Sequence, residues 1–408
     1  MAVQEGNLAQ SAFETLQVLP PDPLLSLIRE YDADPRPAKL DLGVGVYRDG
    51  NGRTPVFAAV KSAERRLVER QDTKAYLGVE GNSVFLAGLQ TLLPDEMSEP
   101  DWIALQTPGG TGALRLAAQL GAVSRPGARI WMGTPSWPIH AQIFSAVGLT
   151  VESIKTFDTV RQSSQLGALI DRLERAARGD LVLLQACCHN PTGVDPSPAE
   201  WARLAAVTAE RGILPLVDLA YHGLGDGLDE DTAGLRQMLA RCPEIMVAYS
   251  CDKNFGLYRE RTGALFLRTP RRAPAASTLS KIARELWSMP PDHGAAAVAE
   301  ILQSPELGSE WRAELASMRA RIRDIRSALS SAAHALAPLA GQKGLFAALP
   351  LSGEQVDALR TDHAVYMARS GRINVAGLRR EQIAGFATAL KSVGIESAGA
   401  GDLPGVIR

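Results

Sequence analysis

Residues 245–267 read IMVAYSCDKNFGLYRERTGALFL, and this stretch decides the fold class. The apolar run 245–249 is followed by a polar segment that contains Lys253, and a second apolar run covers 263–267. Short apolar runs bounded by turn segments are typical of strands buried on both faces of a sheet. We therefore predict two core strands here, with Lys253 directly after the carboxyl end of the first.

Apolar runs of this kind alternate with helical patterns through the middle of the chain. The helical patterns between them include residues 113–123, 137–147, 198–210 and 232–239. The other predicted strands are residues 102–107, 129–132, 181–186 and 214–217. This alternation indicates an α/β fold in which helices cover both faces of a mostly parallel sheet.

The pattern changes after Trp287. Helical spacing dominates residues 305–335, a strand-like segment follows at 344–350, and residues 353–360 and 379–390 again have helical spacing. These segments predict a second, smaller α+β domain toward the carboxyl end of the chain.

Composition excludes several classes of protein. The 408 residues are 46% hydrophobic and 22% charged, and 43 basic against 45 acidic residues give a net charge of −2. This balance indicates a globular protein with no attraction to nucleic acid or to an anionic membrane. No apolar run approaches the ~20 residues of a membrane span. Residues 1–12 lack the features of a secretory signal and are expected to form a loose extension.

The four cysteines are Cys187, Cys188, Cys242 and Cys251. Their spacing matches no metal-binding pattern, and the adjacent pair is poorly placed to form a disulfide. We expect reduced thiols in a cytoplasmic protein, with no metal site.

Two segments at predicted strand ends have the residue types of an anion site. Pro108-Gly109-Gly110-Thr111 joins a strand to a helix, where glycines admit an anion close to the helix N-terminus. Ser250 and Arg261 flank Lys253 and are able to hold a phosphate, while the lysine amine is suited to form a Schiff base. Each segment alone also fits a plain interpretation, a glycine turn or a solvated lysine.

Polar residues also follow two other predicted strands. Asp218 follows the run 214–217, and a carboxylate led into the interior needs a cationic partner, such as a pyridinium nitrogen. A helix N-cap is the alternative for this aspartate. The turn His189-Asn190-Pro191-Thr192-Gly193 follows the run 181–186 and contains an Asn-Pro bond that is a candidate for the cis form. These segments would place four groups at one edge of the sheet: an amine, a carboxylate, an amide and a phosphate cradle. This combination fits the binding of pyridoxal phosphate.

The ordered motifs resemble the fold-type I pyridoxal-phosphate aminotransferases of class I, the aspartate and aromatic amino acid subgroup. The resemblance extends from about Phe13 to Leu390. It is carried by Asp41-Leu-Gly-Val-Gly45-Val-Tyr, Lys74-Ala-Tyr76-Leu-Gly, Pro108-Gly-Gly-Thr-Gly-Ala-Leu, Pro135-Ser-Trp137-Pro, HNPTG at 189–193, DLAY at 218–221, KNFGLYRER at 253–261 and Ser370-Gly-Arg372-Ile-Asn-Val-Ala-Gly.

The resemblance implies a role for each matching residue. Lys253 would form the Schiff base with pyridoxal 5'-phosphate and shuttle the proton, with Asp218 and Tyr221 as the other catalytic residues. Asp218 would hold the ring nitrogen protonated, backed by His140, while Asn190 and Tyr221 bind the phenolic oxygen and Trp137 stacks on the ring. The implied phosphate ligands are Gly110, Thr111, Ser250, Arg261 and, from a partner subunit, Tyr76.

For the substrate, the resemblance implies that Arg372 grips the α-carboxylate, with Gly45, Trp137 and Asn190 nearby. Arg284 aligns with the arginine that binds a side-chain carboxylate across the dimer, and a helix-surface arginine is the alternative. An aromatic side chain would instead contact an apolar wall. Its candidate residues are Leu24, Leu25, Val44, Met289 and Phe346.

The resemblance also implies a homodimer with shared active sites and a seven-stranded sheet. The expected domains are a small-domain segment at 13–46, a large cofactor-binding domain at 47–311 and the rest of the small domain at 312–408. The expected reaction moves an amino group between an aromatic or acidic L-amino acid and 2-oxoglutarate by a ping-pong mechanism.

Four residues depart from the family pattern: Asp252, His222, Leu224 and Trp287. Asp252 adds a carboxylate near the phosphate site, where we expect it to turn away or to pair with Arg259. These departures leave three alternatives open: a strict aspartate aminotransferase, a specialised biosynthetic transaminase, or a decarboxylase or lyase on the same fold.

Overall fold

The computed structural model describes residues 13–395. Its α-helices are α1 (Pro23–Ala33), α2 (Ala58–Arg70), α3 (Ser83–Gln90), α4 (Gly109–Ser124), α5 (Ile139–Ser145), α6 (Gly167–Leu173), α7 (Pro198–Arg211), α8 (Ala233–Arg241), α9 (Arg272–Trp287), α10 (His293–Gln303), α11 (Pro305–Ala332), α12 (Gly353–His363) and α13 (Ile383–Ser392). Short 3₁₀ segments occur at Asp95–Met97, Glu230–Thr232, His334–Gly341, Val375–Gly377 and Arg380–Gln382.

The strands are β1 (Leu40–Asp41), β2 (Trp102–Pro108), β3 (Arg129–Thr134), β4 (Thr150–Lys155), β5 (Phe157–Asp158), β6 (Ser163–Ser164), β7 (Leu181–Gln185), β8 (Leu214–Leu219), β9 (Ile245–Ser250), β10 (Thr262–Arg268), β11 (Phe346–Ala348), β12 (Val365–Tyr366) and β13 (Arg372–Asn374). Seven of them form the central sheet in the order β2-β10-β9-β8-β7-β3-β4. All neighbouring pairs are parallel except those that β10 makes with β2 and β9. The prediction of a mostly parallel, seven-stranded α/β sheet is confirmed.

Side chains that alternate along the strands enter two separate cores. In β9, Val247 belongs to the core on one face of the sheet, whereas Met246 and Ala248 belong to the core on the other. Because successive residues of a strand point to opposite faces, both layers of helices are anchored to the same strands. Burial on both faces explains why these strands have continuous apolar sequences.

A third core lies outside the central sheet. It joins Leu42, near the start of the chain, to side chains of α11, α12 and α13, including Ile325, Leu359 and Phe386. β1 pairs with β12 through Leu40 and Val365, so the two ends of the chain meet here. Within 13–395, no helix combines the length and apolarity of a membrane-spanning segment.

Candidate active site

A cavity of about 260 Å³ opens where the carboxyl ends of β8 and β9 meet the start of α4. Thirteen residues predicted from the sequence line it: Leu24, Gly45, Gly110, Thr111, Trp137, Asn190, Asp218, Tyr221, Ser250, Lys253, Arg261, Phe346 and Arg372. Its walls come from the sheet, the loops after its strands and both ends of the chain. Ligands of open α/β sheets bind at this edge, so the topology and the predicted residues indicate the same location.

Lys253 lies in the turn that follows β9. Its Nζ atom is 3.8 Å from Oδ2 of Asp252 and 5.2 Å from the centre of the Tyr221 ring. Burial lowers the pKa of this amine, while the carboxylates of Asp252 and Asp218 act in the opposite direction. The lowered pKa favours the neutral amine, which is the form that attacks an aldehyde.

Glycines make the start of α4 accessible to an anion. Gly109 has φ +68°, and a Cβ atom there would lie 2.6 Å from Nη2 of Arg261. A Cβ on Gly110 would lie 2.9 Å from Cβ of Ser250. The unpaired amides of this 16-residue helix therefore face Ser250 and Arg261 without an intervening side chain. Amides, a hydroxyl and a guanidinium together form a site for a phosphate group.

Asp218 is the end of a buried polar chain. It belongs to β8 and is 7% exposed, and its Oδ2 is 3.1 Å from Nε2 of the fully buried His140. On the other side of the imidazole, Nδ1 is 2.9 Å from Oγ of Ser136. These contacts fix the orientation of the carboxylate, which lines the cavity. The helix N-cap alternative is wrong, because Asp218 lies within a strand.

The turn after β7 contributes Asn190, whose Nδ2 donates to Oη of Tyr221 over 3.2 Å. Among the described residues, the buried Oδ1 of Asn190 has no hydrogen-bond partner. The Asn190–Pro191 bond is cis, as its sequence allowed. Burial, followed by the charge of Asp218, raises the pKa of Tyr221, so its phenol stays protonated. The pair offers hydrogen bonds to a ligand oxygen.

Arg372 lies in β13 and lines the cavity. Its Nη2 donates to the carbonyl of Gly43 over 2.9 Å, and its guanidinium lies 4.7 Å from the centre of the Phe346 ring. Its buried Nε has no partner in the described part of the chain. Gly45 packs beside this site, where a Cβ would lie 2.7 Å from Cζ of Phe346. An arginine with a free buried donor is suited to bind a carboxylate.

Three predicted site residues do not line the cavity of this chain: His140, which contacts Asp218, and two exposed residues, Tyr76 and Arg284. Tyr76 is 93% exposed, and Arg284, also exposed, donates to Oγ of Ser288 over 2.6 Å. Of the five residues expected in the apolar wall, Leu24 and Phe346 line the cavity. Leu25 is 58% exposed.

The departures from the family pattern have distinct surroundings. His222 is fully buried, with Nδ1 3.0 Å from Oη of Tyr249 and Nε2 2.7 Å from the carbonyl oxygen of Leu228. Leu224 belongs to the core of one sheet face, and Trp287 packs against the core of the other. None of these three residues lines the cavity.

Asp252 lines the cavity and pairs with Arg261, so both expected alternatives, turning away from the site and pairing with Arg259, are wrong. Nη1 of Arg261 donates to Oδ2 of Asp252 over 2.7 Å. Arg261 has φ +53°, a left-handed backbone conformation that is uncommon for a residue other than glycine. Sequence patterns do not reveal such a conformation at a non-glycine residue.

Gln185 is a cavity residue that the sequence analysis missed. Its Oε1 accepts from the backbone N–H of Asn190 over 2.8 Å, and its Nε2 donates to the carbonyl of Asn190 over 3.1 Å. Gln185 thereby holds the turn that carries Asn190. A polar residue at the end of the apolar run LVLLQ was the available signal.

A family model described as aminotransferase class I and II matches residues 37–390. The chain belongs to this family. The aminotransferase is 53% identical over 384 residues to a tyrosine aminotransferase of Rhizobium meliloti (strain 1021), a match that covers 92% of this chain and 98% of the relative. It is 42% identical over 384 residues to an aspartate aminotransferase of Haemophilus influenzae, with 91% and 97% covered.

A solved structure supports the same relationship. The aromatic-amino-acid aminotransferase of Burkholderia pseudomallei, covalently bound to pyridoxal phosphate, superimposes with a TM-score of 0.90 at 35% identity. The match covers 94% of this aminotransferase and 99% of that chain. The predictions of family, enzyme class and cofactor are confirmed. The decarboxylase or lyase alternative has no support among these relatives.

The cavity fits pyridoxal phosphate on its own chemistry. An amine with a lowered pKa and a buried carboxylate lie in the same space as an anion cradle that any Cβ at Gly109 or Gly110 would obstruct. The buried Oδ1 of Asn190 has no hydrogen-bond partner among residues 13–395, which also indicates that a polar ligand completes this site.

Proposed function

We propose that this pyridoxal-phosphate-dependent aminotransferase moves an amino group between an aromatic or acidic L-amino acid and 2-oxoglutarate. The observation that carries the proposal is that one cavity contains the amine of Lys253, the carboxylate of Asp218 and the guanidinium of Arg372. An amine for the cofactor, an acid for its ring and a cation for the substrate carboxylate are the groups that transamination requires. The tyrosine, aromatic and aspartate specificities in the relatives' names support the substrate classes.

When bound, pyridoxal phosphate supplies an aldehyde that captures amines and a ring that withdraws electrons from the substrate Cα. Lys253 would hold the aldehyde carbon and then, as a free amine, move the proton between the substrate Cα and the cofactor C4′. Its lowered pKa supports this use as a base at neutral pH. Tyr221 is 5.2 Å from the amine, measured to the ring centre, and would limit where the amine can move.

The ring would be held by four side chains. Asp218 would keep the ring nitrogen protonated, with His140 fixing the carboxylate from behind over 3.1 Å. Asn190 and Tyr221 would bind the phenolic oxygen, and Trp137 would stack on the ring. The edge-on contact between Trp137 and His140, with centroids 5.2 Å apart, supports a fixed position for the indole.

The phosphate would be bound by Gly110, Thr111, Ser250 and Arg261. Ser250 accepts the backbone N–H of Asp252 over 3.3 Å, which leaves its hydroxyl hydrogen for an anion. The α-carboxylate of the substrate would bind Arg372, close to Gly45, while Trp137 and Asn190 limit its other sides. Leu24 and Phe346 would contact an apolar substrate side chain.

We propose a homodimer in which Tyr76 completes the partner's phosphate site and Arg284 completes its substrate site. Both residues are exposed in the single chain, as are the apolar side chains of Val18, Leu19 and Val68. Exposed apolar surface of this extent favours burial between subunits. Sedimentation equilibrium tests the proposal: a molecular mass near twice 43.6 kDa is expected, and a monomer with full activity would contradict it.

The proposed domains are a small-domain segment at 13–46, the large domain at 47–311 and a second small-domain segment at 312–408. The separate core around Leu42, Ile325 and Phe386 supports a small domain that contains both chain ends. We also propose a cytoplasmic location. The four cysteines are buried free thiols, which agrees with a reducing compartment.

The decisive test of the substrate proposal is a donor panel in single half-reactions. Phenylalanine, tyrosine, tryptophan, aspartate and glutamate are mixed separately with the cofactor-loaded enzyme, and the cofactor absorbance is followed. We expect turnover with both aromatic and acidic donors, followed by recovery of the cofactor with 2-oxoglutarate. Turnover with acidic donors alone would indicate a strict aspartate aminotransferase, and none with either class would indicate a specialised transaminase.

A further inference from the structure

Asp252 introduces a buried negative charge into the anion cradle. The residue is 6% exposed and lines the same cavity as Lys253, Ser250 and Arg261. Its Oδ2 accepts a hydrogen bond from Nη1 of Arg261 over 2.7 Å and is 3.8 Å from Nζ of Lys253. Its Oδ1 is buried and has no hydrogen-bond partner within residues 13–395.

The guanidinium of Arg261 lies between this carboxylate and the start of α4. Nη1 is engaged by Asp252 and, over 3.2 Å, by the carbonyl of Tyr258. Nη2 faces Gly109, where a Cβ would lie 2.6 Å from it. Arg261 is therefore held on one edge by Asp252, while its other edge points toward the helix N-terminus.

We propose that Asp252 is a positioning residue that acts as a resident anion of the phosphate cradle: it holds Arg261 and weakens cofactor binding by competing with the cofactor phosphate for that arginine. The inference rests on the proposed function of Arg261 and Ser250 as phosphate ligands. It adds a residue that sets how tightly the cofactor is retained.

Two opposing effects of Asp252 decide whether it strengthens or weakens binding of the cofactor phosphate. A hydrogen bond that orients Arg261 favours phosphate binding modestly. A buried carboxylate on the same guanidinium repels a phosphate of charge near −2, and close charges in a partly buried site interact more strongly than one neutral hydrogen bond contributes. Removal of the charge alone should therefore tighten binding of the phosphorylated cofactor by roughly tenfold to a hundredfold.

The test compares pyridoxal phosphate with pyridoxal, which has the aldehyde and ring but lacks the phosphate. The full-length chain is stripped of cofactor and titrated with each compound as wild type, Asp252→Asn, Asp252→Ser and Asp229→Asn. The asparagine variant keeps an oxygen that accepts from Arg261 but has no charge. Asp229→Asn is the matched control, because it removes one negative charge from a side chain that is 91% exposed.

We expect Asp252→Asn to bind pyridoxal phosphate at least about tenfold more tightly than wild type, with a much smaller change for pyridoxal. Inorganic phosphate should compete with the cofactor more strongly in this variant. Asp252→Ser should also bind pyridoxal phosphate more tightly than wild type, but with a smaller gain in affinity, since it loses the hydrogen bond to Arg261. The Asp229→Asn control should bind both compounds as wild type does.

Equal changes for the two compounds, or weaker pyridoxal phosphate binding by Asp252→Asn, would overturn the inference. Retained pyridoxal binding shows that a variant is folded. The proposed function fails by a different result, namely no borohydride-reducible adduct on Lys253 in the wild-type chain.

Discussion

Nε2 of His140 lies 3.1 Å from Oδ2 of Asp218, and both side chains are buried beneath the cavity. Ser136 contacts the far nitrogen of the same imidazole over 2.9 Å. The chain Ser136–His140–Asp218 fixes a carboxylate whose remaining surface faces the cavity. This arrangement is suited to the proposed contact with a cationic ring nitrogen, because a buried carboxylate is stable only beside a positive partner or hydrogen-bond donors.

Asp218→Asn should lower the transamination rate by at least about a thousandfold, with a smaller loss of cofactor affinity. The amide has no charge and cannot hold the ring nitrogen protonated. The measurement is kcat at saturating pyridoxal phosphate, with Asp229→Asn as the control for loss of an acidic residue. A cofactor-saturated variant with a near-normal rate would remove Asp218 from this role.

Two substitutions of His140 should distinguish the contributions of its two ring nitrogens, which contact Ser136 and Asp218. His140→Gln keeps a donor near the position of Nε2 and should retain most activity. His140→Asn mimics the Nδ1 side alone and should lose roughly tenfold to a hundredfold in kcat, since Asp218 loses a buried hydrogen bond. Measured rates and cofactor spectra of the two variants give the comparison. Identical losses in both would mean that the imidazole acts through packing.

Arg284→Leu should discriminate between substrate classes. In the proposed dimer, its guanidinium binds a side-chain carboxylate, and loss of one partner of a buried charge pair costs about 3–5 kcal/mol, or roughly two to four decades in kcat/KM. We expect that loss for aspartate and 2-oxoglutarate, with little change or a gain for phenylalanine. Lys281→Leu, an exposed cation on the same helix, is the control. Equal losses for aspartate and phenylalanine would assign Arg284 a structural role.

The burial of His189 predicts that the folded chain loses stability as the pH falls. Burial lowers the pKa of this imidazole to about 4, so the unfolded chain binds more protons than the folded chain between pH 6.5 and 4. Stability from this group is therefore lost as the pH falls through that window, by about 2 kcal/mol. His189→Asn preserves a group that can bond Oγ1 of Thr192, which His189 contacts over 2.8 Å.

Urea unfolding at pH 7 and pH 4.5 measures the effect. The wild-type chain should lose more free energy of unfolding between the two pH values than His189→Asn does. Equal losses would show that His189 is solvated enough to titrate normally.

Much of the fold was predictable because the central strands are buried on both faces. Continuous apolar runs located β2, β7, β8, β9 and β10 with errors of one or two residues. β4 was missed because Thr150–Lys155 is an edge strand with only two apolar residues, Val151 and Ile154, and no buried residue. An apolar sequence pattern is weaker in an edge strand, because fewer of its side chains are buried.

The candidate site was predictable where its residues follow strands directly. Asp218, Asn190 and Lys253 come together because parallel strands bring their carboxyl ends to one edge. The pairing of Asp252 with Arg261, nine positions further along the chain and with a positive φ, is not revealed by sequence patterns. The proposed contributions of Tyr76 and Arg284 depend on a second subunit and lie beyond the geometry of one chain.

Lys253 is proposed to bind the cofactor and to carry the proton in transamination. The chain loaded with pyridoxal phosphate is reduced with borohydride, digested and mapped by mass spectrometry, in parallel with Lys253→Ala. We expect a phosphopyridoxyl adduct on the peptide that contains Lys253, with no adduct and no turnover in the variant. An adduct on another lysine, or full turnover by Lys253→Ala, would contradict it.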